Sequence, residues 1–323
     1  MTKAIRIHRT GGPEVLAWDD VTVDHPGPGQ ALIRHTAIGL NYLDTYQRSG
    51  LYPIPLPTIL GSEGAGVVEA VGEGVTGLKP GDRVAYHSAL GSYAERRTIP
   101  AWLLVPIPAG ITDEQAASMM LKGCTVQYLI RRIFPVKKGD MILFHAAAGG
   151  VGLIASQWAK HLGATVIGTV GSAAKAALAK AHGCDHVINY RDEDFVARVR
   201  AITGEAGLPV VFDSVGKDTF MKSLDCLRPR GLMVSFGQSS GAVEPFNIGI
   251  LSGKGSLFLT RPTLGHYTST RQELLDTASD LFAVVKSGAV KIEVNQRYPL
   301  REAAQAHRDL QARSTTGSTV LTV

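Results

Sequence analysis

Met141-Ile142-Leu143-Phe144, followed by Ala147-Ala148-Gly149-Gly150-Val151-Gly152, decides the fold of this 323-residue chain. The first four residues read as an uninterrupted apolar strand, and the second stretch is a glycine-rich turn. Beyond it Val151, Ile154, Ala155, Trp158, Ala159 and Leu162 recur at helical spacing, and Gly163 stops the helix. Strand, glycine turn and helix in that order suit a pyrophosphate. Absent side chains let backbone N–H groups approach it, and the helix N-terminus adds partial positive charge. The dinucleotide fingerprint is G-x-G-x-x-G, and here its first glycine is Ala147. By itself such a run could be no more than a tight strand-to-helix turn; its place at the head of an alternating series favours the dinucleotide reading.

That series runs on through strand Thr165–Val170, helix Ala173–His182 with Ser172 as N-cap, strand Val187–Asn189 and helix Glu193–Ile202. Strand Val210–Asp213, helix Thr219–Leu227, strand Leu232–Phe236 and a last strand Ser256–Thr260 complete it. Continuous apolar strands alternating with amphipathic helices predict a parallel sheet covered on both faces. Upstream, residues 1–121 read as short strands (Ala4–Arg9, Gln30–Ile38, Gly66–Val71, Asp82–His87) broken by Gly and Pro turns. Downstream, helices Thr270–Ser287 and Leu300–Ala312 and strand Thr319–Val323 are too short a set to stand alone. The expected organisation is therefore a mostly β domain of residues 1–121 and 262–323 with a nucleotide domain, 122–261, inserted into it.

Composition bounds the function. A hydrophobic fraction of 45% with 36 glycines and 16 prolines describes a turn-rich globular enzyme. No apolar run reaches bilayer length, and the N-terminus alternates charge and apolarity like a strand, so a cytoplasmic location is expected. The net charge of +5 is spread along the chain, which argues against nucleic acid and suits an anionic cofactor equally well. Cys124, Cys184 and Cys226 stand far apart, an odd count that fits a reducing compartment.

The end of the second strand bears on the cofactor. Chains that bind NAD carry an acid about 20 residues beyond the glycines. Here Val170-Gly171-Ser172-Ala173-Ala174-Lys175 offers no acid and one base, so Ser172 and Lys175 could take a 2′-phosphate and NADPH is expected. Lys175 would otherwise be an ordinary solvated helix residue.

Gly139-Asp140, Leu143, Ala147 to Gly150, Gly152, Gln157 and Lys160 together resemble the signature of quinone oxidoreductases related to zeta-crystallin, in the medium-chain dehydrogenase/reductase superfamily. The resemblance extends to Asn41-Tyr42-Leu43-Asp44, Gly61-Ser62-Glu63-Gly64-Ala65-Gly66, Lys122-Gly123-Cys124-Thr125 and the tail from Ala306-His307 to Arg313. It implies an α/β architecture, a GroES-like mostly β catalytic domain with an inserted Rossmann domain, and a homodimer. Carried onto this chain, it implies a pyrophosphate turn of Ala148, Gly149, Gly150 and Val151. The 2′-phosphate group would be Ser172, Lys175, Tyr190 and Arg313. Thr125, Ser214, Phe236, Gly237, Gln238, Ser239, Phe258, Leu259 and Thr260 would line the ribose and nicotinamide. Asn41, Asp44 and Tyr46 would stand near the reacting ring, with Asn41 and Tyr46 facing the cleft between the domains.

Zinc relatives carry G-H-E where this chain has Gly61-Ser62-Glu63, and the ligand cysteine and four-cysteine lobe are missing, so no metal is expected. Glu63 then reads as a structural ion-pair partner in preference to the remnant of a ligand set. Without metal, the resemblance implies direct transfer from nicotinamide C4 to an acceptor that is already electrophilic. That acceptor would be a quinone or, on the same scaffold, a conjugated alkenal or enone. Asn41 and Tyr46 are the candidate donors to a developing oxyanion, and Asp44 would orient a partner. A non-catalytic NADPH-binding protein of the crystallin kind is the alternative from another class. Whether one or two electrons move at a time leaves no mark in the sequence.

Overall fold

The computed structural model describes all 323 residues. In chain order the first segment forms β1 (Thr2–Ile7), β2 (Ala17–Val21), β3 (Gln30–Leu40), α1 (Tyr42–Ser49) and β4 (Thr58–Ile59). It continues with β5 (Glu63–Val71), β6 (Arg83–His87), β7 (Arg96–Pro100), β8 (Val105–Pro106) and α2 (Asp113–Gln127). The middle holds β9 (Met141–Phe144), α3 (Gly150–His161), β10 (Thr165–Val170), α4 (Ala173–Ala181), β11 (His186–Asn189) and α5 (Phe195–Thr203). There follow β12 (Leu208–Asp213), α6 (Phe220–Asp225), β13 (Leu227–Ser235), α7 (Gly249–Gly253) and β14 (Phe258–Thr260). The end of the chain supplies α8 (Arg271–Lys286), β15 (Val294–Pro299), α9 (Ala303–Gln311) and β16 (Ser318–Thr322).

These elements gather into two units. One comprises Met1–Cys124, Thr268–Lys286 and Ile292–Val323; the other comprises Thr125–Tyr267 and Ser287–Lys291. In the first, a seven-stranded sheet of order β15-β16-β3-β5-β6-β8, with β7 also on β3, is antiparallel apart from the β15–β16 pair. The long central strand β3 carries register shifts at Leu32/Ile33 and His35/Ala37, where β5 bends against it. Beside this sheet, Ile5, Ile38, Leu60, Tyr93, Leu300, Ala306 and Leu321 form one apolar cluster, so the end of the chain packs against its beginning.

In the second unit six parallel strands follow the order β11-β10-β9-β12-β13-β14. Counted from β9 this is 3-2-1-4-5-6, the doubly wound order, whose switch point lies between β9 and β12. Leu143, Ile167 and Val211 are fully buried, as strands covered on both faces require. Strands β9 and β10 fall where their apolar runs predict, and the remaining elements differ from expectation by a few residues at their ends.

The sequence reading of residues 1–121 as strands alone needs correction, because α1 and most of α2 lie there. Helix α2 opens on a reciprocal cap: Gln115 N–H donates to Thr112 Oγ1, and Thr112 N–H donates to Gln115 Oε1. From Ala116 to Ile130 nearly every residue is buried. Such a helix has no polar stripe, and the periodicity that betrays amphipathic helices is absent.

Candidate active site

Most of the expected cofactor residues of the second unit stand just beyond the C-terminal ends of its strands. Ala148 to Val151 follow β9, and Gly149 is the N-cap of α3. The first amides of any helix lack intrahelical acceptors, which leaves this turn able to donate to an anion. Gly152 cannot be replaced without movement. A Cβ there would stand 2.4 Å from the Ala146 carbonyl oxygen and 2.7 Å from the Ala147 carbonyl carbon, both backbone atoms. Its role is therefore close packing of α3 on the turn.

At the next strand, Val170 of β10 lies opposite Asn189 of β11, so Gly171 and Tyr190 leave the sheet side by side. A Cβ on Gly171 would meet the Tyr190 hydroxyl at 2.5 Å. Ser172 caps α4 by accepting from the Lys175 N–H at 3.3 Å. The structure thus brings Gly171, Ser172, Lys175 and Tyr190 to one corner, with no carboxylate among them. Ser214 follows β12 and accepts from the Ser239 N–H, which ties it to the Phe236–Ser239 turn after β13. Phe236 packs its ring 5.5 Å from that of Phe144. Phe258 and Leu259 lie within edge strand β14 and are exposed, while Thr260 ends that strand. Thr125 is buried in α2. Arg313 is exposed just after α9 and belongs to the other unit.

A polar network that the sequence reading missed supports these strand ends from below. Asp213 accepts from the Val215 and Gly216 N–H groups, Thr219 Oγ1 and Ser223 Oγ. Because Ser223 gives its proton to Asp213, it accepts from His145 Nε2, and His145 Nδ1 then accepts from Thr169 Oγ1, both at 2.9 Å. Burial pushes the His145 imidazole below its ordinary pKa, which keeps it neutral in this role. Thr169, Asp213 and Ser223 come from β10, β12 and α6, and His145 from the turn after β9, so no local motif announces them.

The first unit places Asn41, Asp44 and Tyr46 around the first turns of α1. Asn41 is the N-cap and is held twice: its backbone N–H donates to Asp44 Oδ2, and its Nδ2 donates to Glu63 Oε2, both at 2.8 Å. Glu63 is fully buried and also accepts from Leu121 N–H and from Lys122 Nζ, the latter at 3.0 Å. An ionised carboxylate only accepts, so Asn41 must turn its nitrogen toward Glu63, and one of its two amide protons is already engaged there. Asp44 is fully buried. It accepts from Tyr93 Oη at 3.0 Å, and its Oδ1 has no hydrogen-bond partner. Burial raises its pKa to about 7 against the smaller, opposing effects of the Asn41 and Tyr93 hydrogen bonds. Tyr46 is half-buried in a row of tyrosines, its ring 5.9 Å from Tyr42 and 5.2 Å from Tyr52.

These residues do not fit zinc. Glu63 is neutralised by Lys122, Ser62 stands where a ligand histidine would be needed, and nowhere do three or more His, Cys, Asp or Glu side chains gather to hold a metal ion. The glycine turn at the head of α3, with its free first amides, is instead suited to the pyrophosphate of a dinucleotide. The fold and strand-end residues define a two-unit oxidoreductase with a GroES-like part and a Rossmann part.

Comparison with known proteins agrees. The alcohol dehydrogenase GroES-like domain family matches residues 27–109, and the zinc-binding dehydrogenase family matches residues 150–282. A quinone oxidoreductase of Pseudomonas aeruginosa is 55% identical over 99% of both chains. The crystal structure of Escherichia coli quinone oxidoreductase complexed with NADPH superposes with a TM-score of 0.98 at 52% identity, covering 99% of this chain and 100% of that one. A 2-haloacrylate reductase of a Burkholderia species is 49% identical over 99% of both chains. The chain belongs to the quinone oxidoreductase family of the medium-chain dehydrogenase/reductase superfamily.

Proposed function

We propose that this protein reduces quinones with NADPH, without metal or flavin. The observation that carries the reading is the end-to-end likeness, at 52% identity, to a quinone oxidoreductase crystallised with NADPH, supported by an acid-free corner at Gly171–Lys175. NADPH would supply a hydride from nicotinamide C4. The N–H groups of Ala148 to Val151 would hold its pyrophosphate. Ser172, Lys175, Tyr190 and Arg313 would take the 2′-phosphate. Thr125, Ser214, the Phe236–Ser239 turn and Phe258–Thr260 would line the ribose and nicotinamide.

Asn41 and Tyr46 would face the acceptor and donate to its oxygens, with Asp44 orienting Asn41. A quinone needs little further activation, because its ring oxygens take up the added charge, so placement of the acceptor does most of the work. The expected domain limits, 122–261 for the cofactor part, belong to this proposal. So do a cytoplasmic location, consistent with the lack of any helix long and apolar enough to cross a membrane, and a homodimer. Support for the dimer comes from the outer edge of β14, which pairs with β13 on one side and is open on the other, and where Phe258 is 61% exposed.

A second reading, reduction of conjugated alkenals, enones or acrylates, is favoured by the 2-haloacrylate reductase. The test is a panel of quinones against a panel of enones and acrylates, followed by NADPH absorbance. Turnover confined to the second panel would replace quinone reduction by that reading. Tight NADPH binding without turnover of any acceptor would leave the non-catalytic alternative.

A further inference from the structure

Behind Asp44 runs a buried chain of hydrogen bonds that no local motif predicts. Tyr93 Oη, already within 3.0 Å of Asp44 Oδ2, is also 3.0 Å from His307 Nε2. His307 Nδ1 is 2.9 Å from the guanidinium of Arg48, which further donates to Gln311 Oε1 and the Gly11 carbonyl. Asp44, Tyr93, His307 and Arg48 are all 2% exposed or less. They come from α1, from the loop after β6 and from α9, 214 residues separating Tyr93 from His307.

Donor chemistry gives this chain one direction. Arg48 can only donate, so His307 Nδ1 must accept, and the ring proton sits on Nε2. Nε2–H then donates to Tyr93 Oη, whose own proton is left for Asp44 Oδ2. Reversal would require a proton on Nδ1, facing the guanidinium. The end of the chain is thereby held as an acceptor at Oδ2, which also receives the Asn41 backbone N–H. Burial keeps the intermediate groups neutral, with His307 pushed down to about 3 and Tyr93 pushed up. The charges that bear on Asp44 are Lys122 of α2 and Glu63 of β5, while Glu14 and Arg308 bear on Arg48.

We propose that Arg48, His307 and Tyr93 are positioning residues for the reaction, fixing Asp44 as an ionised acceptor and through it setting Asn41 at the head of α1. The proposal rests on the quinone reductase reading, in which Asn41 and Tyr46 meet the acceptor. It requires that turnover fall as Asp44 is protonated, below a pH of about 7. The proton would have to go to Oδ1, which has no acceptor beside it.

The experiment uses the full chain carrying Tyr93→Phe, His307→Leu or His307→Gln, with kcat and NADPH affinity measured across pH. The Asp44 carboxyl is titrated separately by 13C NMR, its signal identified by Asp44→Asn. Tyr93→Phe removes a hydrogen bond to the ionised form. It should lower kcat about tenfold and move its acidic limb upward by about one pH unit, with NADPH affinity within about twofold of the parent. His307→Leu should behave alike. His307→Gln, which keeps a donor toward Tyr93, should recover most of the loss, and it stands in if Tyr93→Phe fails to fold. Lowered melting temperatures with an unchanged kcat and pH profile would overturn the proposal, leaving these residues as packing. So would a glutamine variant no better than leucine. If the parent reduces no quinone, the functional reading fails instead, and the NMR titration still decides whether Tyr93 and His307 control Asp44.

Discussion

Lys175 and Tyr46 show how a single side chain would act in the proposed site. At the Gly171–Lys175 corner a lysine follows a serine cap, with the Tyr190 hydroxyl against the bare backbone of Gly171 just before that cap. A charge-assisted hydrogen bond to phosphate contributes about 1.5–3 kcal/mol, roughly a tenfold effect or more. Lys175→Ala should therefore raise KM for NADPH at least about tenfold and leave KM for NADH nearly unchanged. Steady-state kinetics with both cofactors check this, and equal effects would remove Lys175 from the phosphate site. Tyr46→Phe should lower quinone turnover by about tenfold, equivalent to ~1.4 kcal/mol, with little change in NADPH affinity. Enones, which need more help at the carbonyl, should lose more. Full turnover of both acceptor classes in this variant would dismiss Tyr46 as a donor.

Legibility at this scale depends on distance along the chain. Glu63 was readable as a structural ion-pair partner because Ser62 replaces the zinc-ligand histidine. Its partner Lys122 lies 59 residues away, and no spacing rule links them. Asp44 could be singled out within Asn41-Tyr42-Leu43-Asp44, yet its burial and its bond to Tyr93 belong to the tertiary structure.

Elements differ in how much of themselves they write into the sequence. Parallel strands covered on both faces must be apolar throughout, so β9 and β10 could be read directly. Helix α2 is also covered nearly all round, and for it the same demand erases the helical stripe. Its cap, Thr112 with Gln115, is the local signal that marks where it starts. The contact between α3 and the glycine turn leads to a third prediction. Gly152→Ala would press a methyl group against the backbone of Ala146 and Ala147, which cannot swing aside as a side chain could. Overpacking of this kind costs about 1–3 kcal/mol. The first amides of α3 should tilt away from the pyrophosphate, weakening NADPH binding by about tenfold or more. Titration of the cofactor against the variant checks it, and unchanged affinity would mean that the turn does not depend on this close approach.

For the molecule as a whole, buried titratable groups make stability depend on pH, and their opposing signs can be followed. His35, His87 and His307 are held near 3, 4 and 3 by burial, far below the 6.5 of an exposed imidazole. As pH falls below 6.5 the unfolded chain binds protons that these native imidazoles refuse. Each then withdraws about 1.4 kcal/mol of stability per pH unit. Asp44 works the other way. Raised from 3.8 to about 7, it favours the native state in acid, and that contribution is lost as pH rises through 7. Between about 6.5 and 4 these three histidines therefore oppose one carboxyl, and their net loss on acidification is on the order of 3 kcal/mol per pH unit, to which the buried His145 of the second unit adds in the same direction. Native proteins hold only about 5–15 kcal/mol in reserve, so two or three units of acidification should suffice to unfold this one. Three of the four lowered imidazoles, and Asp44, lie in the first unit, while His145 lies in the second, so the first unit carries the larger share of the effect. The melting temperature should be nearly level from pH 8 to 7 and fall steeply from about 6.5 to 4. Replacing His35 by glutamine should make that fall shallower by about a third of the histidine effect. Calorimetry across this range provides the check, and a melting temperature unchanged between pH 7 and pH 5 would show that these imidazoles are not held neutral by the fold.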